Sequence, residues 1–343
     1  MKRWRVGLVG SRFGAVVHLP AYRAQGSFEI VAIASPTNAH RVARERDIPR
    51  AFRSLRELLD EVDVDVVSIA SPPFDHRAAV LLALERGKHV LCEKPFALTV
   101  AQAEEMVAAE SSAGTVCALA HELRYTPSRL AMRELIRNGH LGPLREIEFT
   151  TLSGTLRATF ERPDSWWFRR ECGGGVAGAS LSHLIDTANW LAGRAPQRAT
   201  GLLRTANAER SFEGKRFRTD VDDGAFAVVD YGDGLVGRVA ADGTSAVDSA
   251  VLAAHGEART AVASGPTILE STTFVVDADE TSELTLTKDR HGHLSGAHRD
   301  LPPFVNLLDE FAQALEGKPA ELPTFADGLQ TQRVLAAIGY GQQ

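Results

Sequence analysis

Two short apolar runs that stop abruptly constrain the fold more than anything else in the chain. Val66-Val67-Ser68-Ile69-Ala70 gives way to Ser71-Pro72-Pro73, and His89-Val90-Leu91-Cys92 gives way to Glu93-Lys94-Pro95. Between them lies an amphipathic segment, 74–86, long enough for a crossover helix. β-Branched runs bounded by turn residues read as buried strands, and a helix between two of them makes the pair parallel. Ligands of an open parallel sheet bind outside the carboxyl ends of its strands. The two polar tripeptides therefore fall side by side on that edge. A lysine fixed there between an acid and a proline, Lys94, is the leading catalytic candidate.

The alternation extends in both directions. A strand over 5–9 leads into Gly10-Ser11-Arg12-Phe13-Gly14-Ala15 and a helix over 16–25. Strand, glycine turn and helix form a dinucleotide site, where backbone amides and the helix dipole receive a pyrophosphate. Gly10 and Ala15 hold the first and third positions of the G-x-G-x-x-G/A pattern, but Arg12 holds the second, where glycine usually lets the backbone approach the phosphates. Gly10, Arg12, Phe13 and Gly14 are the cofactor candidates here; the bland alternative is an ordinary glycine turn before a helix. The next strand, 28–34, ends at Ser35-Pro36-Thr37, with no acid for the adenosine ribose. Ser35 and Thr37, with Arg12 and Arg41 nearby, suit a 2′-phosphate, which a carboxylate would repel and arginine would pair. NADP(H) is expected over NAD(H), unless Ser35 only caps the helix over 38–46. A helix over 55–61, a strand over 64–70, a helix from Thr99 to about residue 111 with Gln102 as capping-box partner, and a strand over 116–120 complete a doubly wound parallel sheet.

A chain of 343 residues has room for two domains with real cores. The expected division is a Rossmann domain over 1–122 and an α+β substrate-binding and oligomerisation domain over 123–343, with a large open, mainly antiparallel sheet. A net charge of −6 with scattered Lys and Arg disfavours a nucleic-acid partner. Three cysteines, Cys92, Cys117 and Cys172, lie far apart with no metal-type spacing. The basic start, Met1 to Arg5, is followed by an apolar run too short for a signal peptide, and no run approaches the roughly 18 apolar residues of a membrane span. A cytoplasmic protein without membrane or metal is expected.

With Gly7-Leu8-Val9-Gly10, Ser71-Pro72-Pro73-x-x-His76 and above all Glu93-Lys94-Pro95 in hand, the chain resembles the Gfo/Idh/MocA oxidoreductases along nearly its whole length. That family acts mostly on sugars, sugar nucleotides and cyclitols with NAD or NADP. The resemblance implies that Glu93 contacts the nicotinamide ribose, that Lys94 donates or accepts the proton, and that Ser71, Pro72 and His76 line the nicotinamide end. It places Arg124 and Tyr125, in an Arg-aromatic-x-Pro turn, near the substrate.

In the second half, Trp166-Trp167-Phe168-Arg169-Arg170 followed by Gly173-Gly174-Gly175 reads as a loop closing over something, with Trp166 a sugar platform or a hydrophobic plug. The family pattern Asp-x-Gly-x-His-x-x-Asp falls on a helix over 181–192. Its histidine is His183 and its last acid is Asp186, but its first acid is replaced by Ala179. Lys94 and His183 would then act without the aspartate, which leaves the inositol-dehydrogenase mechanism in doubt. Strands follow at 198–205, 225–231, 235–241, 250–254, 259–263, 272–276 and 283–287, with turn signals at Asp222-Asp223-Gly224 and Tyr231-Gly232-Asp233-Gly234. One face of this sheet is expected to meet a partner subunit, giving a homodimer or homotetramer. The stretch 288–298, with His291, His293 and His298, reads as a mobile loop without metal spacing. Helices over 303–316 and 326–338 close the chain. The expected activity is NAD(P)-dependent interconversion of a secondary alcohol and a ketone on a sugar or cyclitol. Two alternatives stay open: redox-neutral elimination or glycoside cleavage through transient oxidation, and a cofactor-sensing regulatory protein without turnover.

Overall fold

The structure, a computed structural model, describes residues 3–341; the Met1-Lys2 part of the basic start lies outside them. The chain forms two compact units, one of 3–97, 101–125 and 289–329, the other of 98–100, 126–288 and 330–341.

In the first unit, strands β1 (Trp4–Val9), β2 (Phe28–Ala34), β3 (Arg50–Phe52), β4 (Val66–Ile69), β5 (His89–Cys92) and β6 (Cys117–Leu119) make one sheet in the order β3-β2-β1-β4-β5-β6. Every pairing is parallel. Helices α1 (Leu19–Gln25), α2 (Ala39–Glu45), α3 (Leu55–Glu61), α4 (Pro73–Glu85) and α5 (Val100–Ala113) are the crossovers. All of β4 and most of β5 are buried, which is why they read as unbroken apolar runs rather than alternating ones. The strand order reverses between β1 and β4, and at such a switch point the crossover helices part to leave a crevice. Three-residue β3 was not foreseen, since a short edge strand beginning with an arginine carries almost no pattern.

The domain cut after residue 122 is not the division observed, because 289–329 returns to this first unit. Its helix, Leu301–Leu315, buries Phe304, Val305, Leu307, Leu308 and Phe311, and Phe311 stacks on Phe28 at 6.2 Å. That apolar stripe has nothing to do with its position in the chain; it covers the flank of the sheet beside α1.

In the second unit, α6 (Pro127–Arg137), β7 (Leu144–Leu152) and α7 (Ser182–Ala192) precede strands β8 (Arg198–Arg204), β9 (Glu209–Phe212), β10 (Lys215–Arg218), β11 (Gly224–Gly232), β12 (Leu235–Asp242), β13 (Ser249–Gly256), β14 (Thr260–Gly265), β15 (Thr272–Val276) and β16 (Thr281–Glu283). Eight of them form the sheet β16-β15-β14-β13-β7-β12-β11-β8, antiparallel except for β12 against β7. Alternate residues of β11 and β12 are buried while Leu202, Val228 and Arg238 of the other face are exposed. The hairpin of β9 and β10 was missed: its turn, Glu213-Gly214, has φ of 49° and 75°, a primed-turn geometry normally announced by Asn-Gly. The strand expected at 283–287 lies at Thr281–Glu283, with only Leu284 adding one further bond to Thr273. α8 (Leu301–Leu315) and α9 (Phe325–Ala337) close the chain. The helix expected from residue 303 begins earlier because Pro302 and Pro303 fit a first turn, where no amide partner is lost.

Candidate cofactor and catalytic site

The glycine turn is built by close packing against β4. Gly10 has φ +104°, its amide donates to Ala34 O at 2.9 Å, and a Cβ there would stand 2.3 Å from Ala70 O. No L side chain fits that approach. A Cβ at Gly14 would press on Leu8 and Ala70, so the following turn lies flat on the sheet. Arg12 is exposed, and its carbonyl accepts from the amides of Ala15 and Val16, both at 3.1 Å. The arginine at the second glycine position therefore keeps its side chain outside the turn. Phe13 is half-buried, with its ring edge-on to His18 at 5.8 Å.

After β2, Ser35 is buried and its hydroxyl lies 3.0 Å from that of Ser11. α2 starts at Asn38 without a side-chain cap, so Ser35 is not its cap. Thr37 is exposed. Arg41 is exposed too, and bonds Glu45 one turn on at 2.8 Å. Such an exposed i,i+4 pair contributes only about 0.3–0.5 kcal/mol and yields readily to a phosphate.

The two loops singled out at the start meet at the sheet edge. Ser71 and Pro72 lead into α4. His76, fully buried, places Nε2 2.9 Å from Ser71 O and Nδ1 3.0 Å from Pro95 O. It lies between one loop and the other; burial lowers its pKa, and the bonds to the Ser71 and Pro95 carbonyls work against that. Glu93 is anchored from behind: Oε1 takes a hydrogen bond from His18 Nε2 at 2.9 Å, and His18 Nδ1 meets Ser68 Oγ at 2.8 Å. Oε2 accepts from the Lys94 amide at 3.2 Å. Burial would raise the Glu93 carboxyl, but the His18 bond and charge, with Lys94 and His76, more than offset it and hold it below the ordinary value. Phe304 closes over His18 at 4.4 Å between ring centres.

This relay of Ser68, His18 and Glu93 was missed in the sequence. A histidine in Val16-Val17-His18-Leu19-Pro20 is a polar residue in an apolar helical stretch, which is the one signal it offers; its partner is 75 residues away. Arg124 and Tyr125 follow β6 in the same unit and are buried. Arg124 pairs with Asp327 at 3.3 Å and the Tyr125 hydroxyl donates to Glu321 O at 2.7 Å.

In the second unit, α7 carries His183 and Asp186, both buried, Asp186 within the field of Tyr231. Asp222, expected in a turn, fixes the approach to that helix by accepting from the Ala177 amide at 2.7 Å; burial raises its carboxyl to about 6. Phe168 is the buried plug of the aromatic loop, Trp167 stands edge-on to it with Arg162 over the Trp167 ring, and Trp166 is half-buried. His291 bonds Asp309 at 2.9 Å, and no group of His, Cys, Asp or Glu among the described residues is arranged to hold a metal. No helix among them is long and apolar enough to cross a membrane.

The first unit fits a dinucleotide on its own geometry: a turn that only glycine permits, helix-start amides beyond it, and a buried carboxylate at the next strand edge. Comparison with known proteins agrees. Residues 4–121 match the model of the Gfo/Idh/MocA oxidoreductase family, NAD-binding Rossmann fold, and 130–262 match its C-terminal domain. An uncharacterised oxidoreductase of Synechocystis is 36% identical over 60% of this chain, which spans only 55% of that relative's length. The 1,5-anhydro-D-fructose reductase of Ensifer adhaerens is 34% identical over 69% of this chain and 68% of its own. A structure of levoglucosan dehydrogenase with NADH and levoglucosan superposes with a TM-score of 0.84 at 25% identity, covering 98% of this chain and 96% of that one. The chain is thus a member of the Gfo/Idh/MocA family of NAD(P)-dependent oxidoreductases.

Proposed function

We propose that the protein interconverts a secondary alcohol and a ketone on a sugar or cyclitol, with Lys94 as the residue that moves the proton. The observation that carries this reading is the fixing of Lys94 at the carboxyl end of β5, through Glu93 on one side and His76 against Pro95 O on the other. When bound, the nicotinamide supplies hydride transfer at C4. Glu93 offers its carboxylate to ribose hydroxyls, and the Gly10 turn receives the pyrophosphate. Lys94 takes the hydroxyl proton during oxidation and returns it during reduction. Arg124 and Tyr125 are the sugar-side candidates of the first unit, and His183, Asp186 and Trp166 those of the second. Anhydro-sugars are the first substrates to try, since relatives are named for levoglucosan and 1,5-anhydro-D-fructose. The experiment that tests this is nicotinamide absorbance against a panel of sugars and cyclitols, with NADP and NAD in turn. Ala179, where the resemblance expects an acid, favours one second reading, redox-neutral elimination, which turns over sugar without net absorbance change.

NADP(H) is the favoured cofactor. Ser35 and Thr37 leave the β2 end without an acid, and Arg41 is held only by a surface pair. Arg41→Ala should weaken NADP binding about 10-fold or more, as expected for loss of a charge-assisted hydrogen bond, and leave NAD unchanged. Titration of nicotinamide fluorescence reads both; equal loss for the two cofactors argues against Arg41 at the 2′-phosphate.

The open face of the second unit's sheet supports a homodimer or homotetramer. Leu202 and Val228 are 55% and 45% exposed there, on neighbouring strands. Leu202→Glu should convert the assembly to monomers in sedimentation, and an unchanged sedimentation coefficient would remove this face from the interface.

A further inference from the structure

We propose that Glu122 is the proton-relay partner of Lys94, the group that takes the proton onward from the lysine amine. The proposal rests on the reading of Lys94 as the proton carrier. Glu122 opens the short helical turn Glu122–Tyr125 directly after β6, and β6 pairs with β5 so that Leu119 stands opposite Cys92. The Ala120 amide continues that ladder to Cys92 O at 2.7 Å. The carboxyl of Glu122 therefore enters the sheet edge just where Glu93 and Lys94 leave it, all within one unit.

Glu122 is only 4% exposed, and its Oε2 finds no hydrogen-bond partner among the described residues. A buried carboxyl oxygen left unmet is costly, about 1–3 kcal/mol or more, and glutamine or leucine would avoid a charge there altogether. The charged groups acting on it are Glu93 and Lys94 from the β5 loop and Asp300 before α8; His121 precedes it in the chain, and Arg124 of its own turn pairs with Asp327. Burial, Glu93 and Asp300 raise its carboxyl well above the usual range while Lys94 opposes them. Glu93 is the poorer acceptor of the two, because its bond to His18 and the charges around it hold its carboxyl below the ordinary value.

In the oxidation direction, the substrate O–H bond breaks and an N–H bond forms on the neutral Lys94 amine, while the carbon's hydride pair leaves to the nicotinamide. One ammonium N–H then breaks and an O–H forms on Glu122 Oε2, which restores the amine. Reduction runs the same bonds backwards.

The test needs no substrate. Lysines are reductively methylated with 13C, the Lys94 resonance is assigned by its loss in Lys94→Arg, and its pH titration is followed in wild type and Glu122→Gln. Without the carboxylate the lysine should titrate at least one pH unit lower. Infrared difference spectra of the 13C-glutamate-labelled wild type read the same coupling without a substitution, as a carboxylic-acid band that is absent while the Glu122 carboxylate faces the Lys94 ammonium and appears when the ammonium proton passes to it. An unshifted titration in Glu122→Gln, or no such band, overturns the relay. If Lys94→Ala stays inactive while the titration is unshifted, the relay alone falls; if Lys94→Ala is active, the reading beneath it falls.

Discussion

Lys94→Ala should bind NADP as the wild type does and turn over substrate about 10²–10⁴-fold more slowly, the usual contribution of a positioned acid–base group. On the roles proposed above, binding survives because the Gly10 turn, packed on Ala70, would still receive the pyrophosphate and Glu93, held by His18, the ribose. The loss should appear in kcat and in kcat/KM alike, since the proton moves in the transition state and not on binding. Cofactor fluorescence and steady-state rates measured on the same preparation separate the two effects. A variant that lost binding and rate together would mean that Lys94 holds the dinucleotide instead.

Glu93→Ala should destabilise the protein by about 1–3 kcal/mol, read from urea unfolding, because it leaves a buried polar partner unmet. His18 is fully buried and would keep Ser68 but lose the carboxylate. Glu93→Gln retains a hydrogen-bond acceptor and should cost less. The pH dependence has a definite sign. The folded carboxyl lies below its ordinary 4.5, so its contribution is fully present above that value and is lost as pH falls through the lower, folded one. Wild-type stability should therefore fall more steeply than that of Glu93→Gln in acid below about pH 4.5.

The parallel sheet was legible because strands buried on both faces advertise themselves as apolar runs, and β4 and β5 end in residues that cannot continue them. The position of Lys94, just past the end of β5, was legible for the same reason. What escaped depends on contacts remote in sequence. His18 reads as an oddity until the fold brings Glu93 to it, and His76 reads as a surface or cofactor residue until both its nitrogens are seen facing backbone carbonyls. The return of 289–329 to the first unit was invisible, since an amphipathic helix specifies an apolar partner but not which one. Ala179 was legible as a departure; the carboxyl at Glu122, in a turn read only for Arg124 and Tyr125, was not.

The measurement that bears most directly on the central claim is the fate of the hydride. NADPH carrying deuterium at C4 would be incubated with the protein and a panel of keto-sugars, and the products weighed by mass spectrometry. Lys94-dependent transfer predicts one sugar alcohol carrying deuterium, formed in step with oxidised nicotinamide and absent with Lys94→Ala. A sugar consumed without label in its product, or labelled equally well by Lys94→Ala, would contradict it.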